Sequence, residues 1–480
     1  MTEPLHTPPP IDTRTLLGDL SGCRVTVLGL GRFGGGVGVT RWLASRGCRV
    51  LVTDAATADK LTDSVNAVGD LLKGGSVSLR LGGHEQSDFT DADVVVANPA
   101  VPKPWTHESL LASWDAGVPV TTEIALALAH LESRGIADRQ TIAITGTAGK
   151  STTTAMTSEA LRAAMGPERV LIGGNLGGSL LGARTDGVRA LVLEVSSAML
   201  WWLEHTLPGW RPHVGVLTGY APNHVDWHGD EVHYRSCKGM LTLRVADRGT
   251  ALLGSGVTDW QIAPGATSET PSLSDAPRGL LAPGAHNRQN AAMALAAARA
   301  LLGTAPPTGA MRSAVAAFPG LPHRVRTIGF ASGVRCVDDS KSTTPEASVR
   351  AVRALRPETN GRLALLAGGY DKGVSLAALA AMREGPNTEL VDELLVFGTT
   401  GPALAALRQD DTATRCFETL DQAVASAAER LSPGDTLLLS PACASWDQFE
   451  HFEARGRAFA DACERHLGPL SDQESRDARA

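Results

Sequence analysis

Thr141-Ile142-Ala143-Ile144-Thr145-Gly146-Thr147-Ala148-Gly149-Lys150-Ser151-Thr152-Thr153-Thr154 is an apolar, β-type run that turns through two glycines into Lys-Ser-Thr. It reads as a nucleotide-phosphate loop. A strand feeding a glycine-rich turn and then a helix points backbone N–H groups and the positive helix end at phosphates. Lys150 adds charge, and the Ser151 or Thr152 hydroxyl can hold magnesium. The common form of the loop has a glycine five residues before the second one, where this chain has Ile144. An ordinary strand-turn-helix junction with a surface lysine is therefore the alternative.

Outward from that stretch, 480 residues exceed what one core supports, so two or three domains are expected. Apolar residues at 43% suffice for packed cores, and 51 glycines with only 4% aromatics suit helices laid closely on sheets. A formal charge of -7 argues against a nucleic-acid partner while leaving room for a local positive pocket. The seven cysteines (Cys23, Cys48, Cys237, Cys336, Cys416, Cys443, Cys463) are odd in number and form no C-x-x-C pair, which points to reduced structural thiols. Met1–Pro10 lacks an apolar signal core and no run reaches the length of a membrane span, so a soluble cytoplasmic protein without a membrane partner is expected.

Before the phosphate loop, the strand-like Arg24–Leu28 leads into Gly29-Leu30-Gly31-Arg32-Phe33-Gly34-Gly35-Gly36, a helical stretch, and a second strand ending at Asp54. This is G-x-G-x-x-G between strand and helix, with an acid where a ribose-binding residue would sit. It fits a dinucleotide (NAD) site, or glycines that only permit close helix-strand packing. After the loop, the buried strand Ala190–Leu193 ends in Glu194, where carboxyl ends of parallel strands gather ligands and a carboxylate can hold magnesium. The spacing of His224, His228 and His233 suggests zinc, but Gly229 interrupts any single helix and no second cluster completes a tetrahedron, so solvated loop histidines are expected. Thr344 as N-cap and Pro345 at the first helical position predict a helix start that leaves Asp339–Thr343 exposed beside a strand end.

Nine ordered motifs carry a resemblance: Thr145–Thr152, Gly174-Asn175-Leu176-Gly177, Glu194-Val195-Ser196-Ser197, Asn223-His224-Val225-Asp226, Tyr234–Lys238, His286–Asn290, Leu321-Pro322-His323-Arg324, Asp339-Ser340-Lys341-Ser342-Thr343 and Leu439–Phe452. From about Cys23 to His466 the chain resembles the Mur ligase family, in particular its D-glutamate-adding branch. The resemblance implies an α/β protein of three domains. After a flexible lead-in at 1–22, these are a Rossmann-like domain at 23–137 for the uridine diphosphate substrate, a central ATPase domain at 138–322 and an amino-acid-binding α/β domain at 323–468. A disordered tail follows at 469–480. It further implies a monomer that uses ATP and two magnesium ions to join glutamate to UDP-N-acetylmuramoyl-L-alanine through an acyl phosphate, in peptidoglycan precursor synthesis.

By the same resemblance, Gly146, Thr147, Ala148 and Gly149 cradle phosphates and Lys150 contacts the β- and γ-phosphates. Ser151 or Thr152 with Glu194 holds one magnesium; His224 with a carbamylated Lys238 holds the other. Asn290, Arg324, Asp339 and Lys341 serve the nucleotide, and Leu30, Gly31, Arg32, Asp54, Asn175 and Ser196 the UDP-muramoyl substrate. Thr343, Lys372, Ser445 and Phe452 form the glutamate pocket, with Trp446 beside it. Closure of the third domain on ATP binding is also implied.

The chain departs from the family pattern at Ala148, where Asn is usual, at Met199, where Gln is usual, and at Trp446, which replaces a smaller residue. Three alternatives remain beside the D-glutamate ligase: the same chemistry with L-glutamate or another acceptor, an ATP-dependent regulator that has kept the fold, and an NAD-dependent dehydrogenase resting on the first glycine loop.

Overall fold

The computed structural model describes residues 8–471 apart from 32–33, 255, 258, 283, 305, 372, 374, 384–389 and 409–410. Two expected site residues, Arg32 and Lys372, thus lie outside the described residues, as does the stretch 472–480 of the expected tail. The described parts of Met1–Pro277 and Gln289–Val315 form one compact unit; those of Arg278–Arg288 and Ala316–Ala480 form a second.

The first unit holds two parallel sheets. Strands β1 (Arg24–Leu28), β2 (Arg49–Asp54), β3 (Val77–Leu81), β4 (Val94–Ala97) and β5 (Val120–Thr122) are ordered β3-β2-β1-β4-β5. Strands β6 (Thr141–Thr145), β7 (Val170–Gly174), β8 (Ala190–Glu194), β9 (Val214–Leu217), β10 (Thr250–Leu253) and β11 (Thr267–Glu269) are ordered β11-β10-β9-β6-β8-β7. β6 and β8 are buried at every position, which is why Ile142–Ile144 and Ala190–Leu193 are apolar without alternation. A single apolar core joins Val25, Val50 and Ile124 of the first sheet layer to Ala143, Leu191 and Leu200 of the second, so the two sheets share one unit.

Residues 8–22 correct the expectation of a loose lead-in. Thr13 is fully buried, its hydroxyl donating to Thr206 O at 2.6 Å and lying 2.7 Å from Thr121 Oγ1. Those bonds fasten the 3-10 turn Thr13–Leu16 to the sheet layer.

The second unit contains β12 (Arg326–Ala331), β13 (Val334–Asp338), β14 (Leu363–Gly368), β15 (Glu393–Phe397), β16 (Thr414–Phe417) and β17 (Thr436–Leu439), ordered β12-β13-β17-β14-β15-β16. Only β12 runs antiparallel among these pairings. Its outer edge is paired in turn by Ser471, whose backbone exchanges two hydrogen bonds with Phe330 at 2.9 and 3.0 Å. The helix Pro345–Leu355 begins where Thr344-Pro345 predicts, although Thr344 caps it by backbone conformation without a side-chain hydrogen bond.

Candidate active site

At the carboxyl end of β6 the chain turns through Gly146 at φ 147° and Gly149 at φ 83° into the helix Lys150–Met165, which no side chain caps. A Cβ on Gly146 would collide with Thr218 Oγ1, and one on Gly149 would lie 2.5 Å from Asn290 Oδ1, so both positions require glycine. The loop is braced from the end of β9: Thr218 donates to Ala148 O at 2.6 Å, and Thr147 N donates to Gly219 O at 2.9 Å. An uncapped helix start behind a braced glycine turn presents the geometry that binds phosphate.

Two lysines converge on this turn. Lys150 Nζ donates to Gly146 O at 2.9 Å and Thr147 O at 3.2 Å, while Lys238 Nζ donates to the same Gly146 O at 2.8 Å. Lys238 is only 2% exposed; burial, followed by the charge of Lys150, pushes its ammonium down to about 7. Its Nζ stands 4.8 Å above the Tyr234 ring, and His224 lies against the same ring at 5.9 Å between centroids. His224 adopts a left-handed backbone at φ 52°, and burial and then Lys238 lower its basicity.

β6 and β8 pair with Ile144 beside Glu194, which sets the carboxylate next to the loop. Glu194 is 1% exposed; Oε1 accepts from Asn175 Nδ2 at 2.9 Å, but Oε2 is buried with no protein partner. A buried carboxylate oxygen left in that state costs free energy unless it meets a cation. Asn290, buried at 5% exposure, reaches Thr153 Oγ1 at 3.3 Å and so joins the same site. Ser151 is half-buried and Thr152 buried on the helix's first turn.

A cavity of about 360 Å³ opens between the first two sheet layers, lined among others by Leu30, Gly31, Asn98, Glu123, Asn175, Ser196 and Met199. Four expected substrate residues are therefore together: Leu30, Gly31, Asn175 and Ser196. Asp54 is placed differently, with Oδ2 accepting from Gly31 N at 3.1 Å and Oδ1 from Ala56 N at 2.8 Å, and it is not part of the lining. Ser196 also accepts from Met199 N at 3.1 Å as N-cap of the helix Ser197–Thr206. Asn98 and Glu123 escaped the sequence reading. Glu123 accepts from Ser179 Oγ at 2.6 Å, and burial pushes its carboxyl up; its place just past β5 follows the strand-end rule that identified Glu194.

In the second unit, the expectation that Asp339–Thr343 lies exposed is corrected. Asp339, Ser340 and Ser342 are 1, 0 and 9% exposed, whereas Lys341 is exposed and Thr343 half-buried. The cause lies more than a hundred residues along the chain. Fully buried Arg455 donates to Ser340 Oγ and O at 3.0 and 2.9 Å, and to Cys443 O and Ala444 O at 3.0 Å each. Asp339 accepts from Ser440 Oγ at 2.6 Å and Val325 N at 3.1 Å, yet burial raises its carboxyl to about 6. Arg455→Met is expected to destabilise this unit by about 3–5 kcal/mol, because buried carbonyls lose a charged donor. A denaturant midpoint within error of the wild type would refute that.

Lys341 Nζ lies 5.3 Å from the centre of the Phe452 ring, and Ser445 is buried nearby in sequence at the end of the β17 loop. Trp446 is 63% exposed and packs on Tyr370, ring centres 5.5 Å apart. Arg324 is exposed, following the left-handed His323 at φ 59°. All seven cysteines are free, and among them only Cys416 is exposed.

The histidine cluster also differs from expectation. His228 is 2% exposed, not solvated, and burial, His233 and His224 push its imidazolium down to about 3. Although the short helix Val225–His228 stops at Gly229, Asp230 restarts the chain as N-cap of Glu231–Leu243, accepting from His233 N at 2.7 Å. That turn folds His228 back onto His233 and Cys237.

Three family models match consecutive stretches of the chain: "Mur ligase MurD-like, N-terminal domain" at residues 23–122, "Mur ligase middle domain" at 144–261 and "Mur ligase, glutamate ligase domain" at 323–443. The chain is 35% identical to the UDP-N-acetylmuramoylalanine--D-glutamate ligase of Anaeromyxobacter dehalogenans, covering 92% of this chain and 97% of that protein. It is 34% identical to the enzyme of the same name from Geobacter metallireducens, covering 92% and 98%. Among solved structures it is similar in fold to UDP-N-acetylmuramate-alanine ligase MurC of Thermotoga maritima (TM-score 0.56, 16% identity, 92% of this chain and 99% of that one). The MurF ligase of the same organism, in complex with ADP, is similar at TM-score 0.53 and 16% identity over 94% of this chain and 99% of that one. A phosphate loop braced from the end of β9, three α/β sheets and these matches over most of the length agree: the chain belongs to the Mur ligase family.

Proposed function

We propose that the protein joins D-glutamate to UDP-N-acetylmuramoyl-L-alanine at the expense of ATP, as an amide-bond-forming ligase of peptidoglycan precursor synthesis. The observation that carries this reading is the convergence of Lys150, Lys238 and the unpartnered Glu194 oxygen on one glycine turn. A free carboxylate is a poor acyl donor. Its oxygen attacks the γ-phosphorus of ATP, ADP departs, and the acyl phosphate carbonyl is then attacked by the glutamate amine, with phosphate leaving and the ammonium proton passing to solvent. Negative charge gathers on crowded oxygens in both steps, so fixed cations matter more than acid-base groups. Lys150 and the first turn of Lys150–Met165 supply them at the phosphates.

Magnesium fits the donors present. Ser151 or Thr152 with Glu194 would hold one ion, since Glu194 Oε2 is a buried anionic oxygen without another partner. His224 with Lys238 would hold a second once Lys238 has become an anion. The amine is buried, next to a second lysine and turned toward the loop, conditions that favour its neutral form, which adds to carbon dioxide as a carbamate with loss of one proton. Bound magnesium would neutralise charge between the phosphates.

In this reading residues 23–137 bind the UDP substrate, with Leu30, Gly31, Asn175 and Ser196 in the cavity. Residues 138–322 bind ATP, and 323–468 bind glutamate near Thr343, Ser445 and Phe452, while Asp339, Lys341 and Arg324 serve the nucleotide. The dehydrogenase alternative rested on the first glycine loop alone, and that stretch lies inside the matched MurD-like N-terminal domain.

Phosphate release from ATP with UDP-N-acetylmuramoyl-L-alanine and either glutamate enantiomer tests the proposal. Release is expected with D-glutamate and not above background with L-glutamate. Release favouring the L form would transfer the reading to the alternative acceptor, and no release with either would end it.

A further inference from the structure

His228, His233 and Cys237 are not used by the ligase chemistry, yet their donor atoms all lie within 4.8 Å of one another. His233 and Cys237 are four residues apart on the helix Glu231–Leu243 and so share a face. His228 Nδ1 lies 3.1 Å from His233 Nδ1, and Cys237 Sγ lies 3.6 Å from His233 Nε2. Around zinc, with metal-nitrogen bonds of about 2.0–2.1 Å and metal-sulfur bonds of about 2.3 Å, tetrahedral donors stand roughly 3.3 Å (N to N) and 3.6 Å (N to S) apart. The two spacings found are close to those edges but engage different nitrogens of His233; taken as one donor atom per residue, the three lie within 4.8 Å of one another.

The surroundings are arranged as a metal's outer layer usually is. His228 Nε2 is 2.9 Å from Ser197 Oγ, a hydroxyl able to accept an N–H there and so to hold the tautomer whose Nδ1 lone pair serves a metal. Aromatic rings enclose the group: Trp105 stands edge-on to His233 at 4.7 Å, and Trp227 and Tyr234 flank His228 at 4.5 and 5.2 Å between ring centres. His228 and Cys237 are buried and His233 is half-buried, so any opening lies on the His233 side. One thiol and two imidazoles select a borderline or soft metal over magnesium, which prefers oxygen donors.

We propose that His228, His233 and Cys237, none of which is assigned to nucleotide or magnesium, bind one zinc-class ion, with a fourth position left to water, beside the Tyr234 ring that Lys238 and His224 also face but with donors of their own. Binding deprotonates the Cys237 thiol: a sulfur-metal bond forms, the S–H bond breaks, and one proton goes to solvent. The ion ties the turn after His228 to the helix that ends beside Val245, and through Ser197 to the helix that begins at the substrate cavity. The inference does not rest on the ligase reading.

Cobalt(II) is the probe. The metal-stripped full chain, held in excess magnesium, is titrated with cobalt while the near-ultraviolet thiolate-to-cobalt charge-transfer band and proton release are followed. One equivalent of cobalt should give the band and one proton, and zinc should abolish the band by displacement. Cys237→Ser should remove it, His233→Gln should weaken binding, and Ser197→Ala should weaken it roughly 10–100-fold, as loss of a partner to a liganding histidine does. His233→Gln, at the half-buried position, decides the matter if Cys237→Ser fails to fold. No charge-transfer band, or one undiminished in the folded variants, would leave a hydrogen-bonded Ser197–His228–His233–Cys237 chain and overturn the proposal.

Discussion

Glu194→Gln is expected to lower the rate of phosphate release roughly 1000-fold, about 4 kcal/mol of transition-state stabilisation at 1.36 kcal/mol per tenfold. The substitution keeps size and shape, and a Gln oxygen still accepts from Asn175 Nδ2 at the place of Oε1. It removes the charge from Oε2, the atom with no protein partner. A purely structural Glu194 would respond differently: its loss would show in the thermal midpoint and little in the rate. The expected pattern is the reverse, a near-unchanged melting temperature with the rate lost and a raised requirement for magnesium. A rate within tenfold of the wild type would show that Glu194 holds no metal in the reaction.

Lys238→Arg is expected to be at least about a hundredfold slower than wild type, close to 2.7 kcal/mol, and as impaired as Lys238→Ala. Arginine keeps the positive charge near Gly146 O but cannot form a carbamate. The comparison therefore separates two roles for a lysine 2.8 Å from that carbonyl. If Lys238 acts as a cation toward phosphate, Arg retains much of the activity and carbon dioxide has no effect. If it acts as a carbamate, both variants fail, and the wild type loses activity in carbon-dioxide-depleted buffer and recovers it with bicarbonate. Intact mass measured under bicarbonate reports the added carbon dioxide directly. Wild-type activity indifferent to carbon dioxide would sink the carbamate.

The parts of this site that could be read from sequence are those whose causes are local. Thr141–Thr154 announces itself because buried parallel strands need continuous apolar residues and the turn needs glycine at Gly146 and Gly149, where neighbouring side chains leave no room for a Cβ. Glu194 is legible because it ends such a strand. What escaped depends on distant partners. Asp339–Thr343 looks like an exposed polar loop until Arg455 is known to lie beneath it, and nothing in five polar residues foretells a guanidinium from a helix starting at Phe452. His228 resembled a solvated loop residue because Gly229 ends its helix; the return of the chain depends on Asp230 capping the next one. Glu123 needed only the strand-end rule applied once more, since β5 stops one residue before it. The antiparallel β12 has no signature of its own, because strand direction is set by which edge of the sheet is available.

That edge has a bearing on how the protein behaves in company. An outermost strand offers a row of unpaired amides and carbonyls to any other chain that arrives extended, which is the usual beginning of edge-to-edge aggregation. Here the Phe330 position is already taken by Ser471 through a two-bond pairing, and β12 itself is bent by a register shift between Thr327 and Gly329. A stranger strand would have to displace a segment tethered to the same molecule, which rebinds at a local concentration no free chain matches. At the Phe330 position Ser471 thus acts as a built-in competitor to an incoming strand.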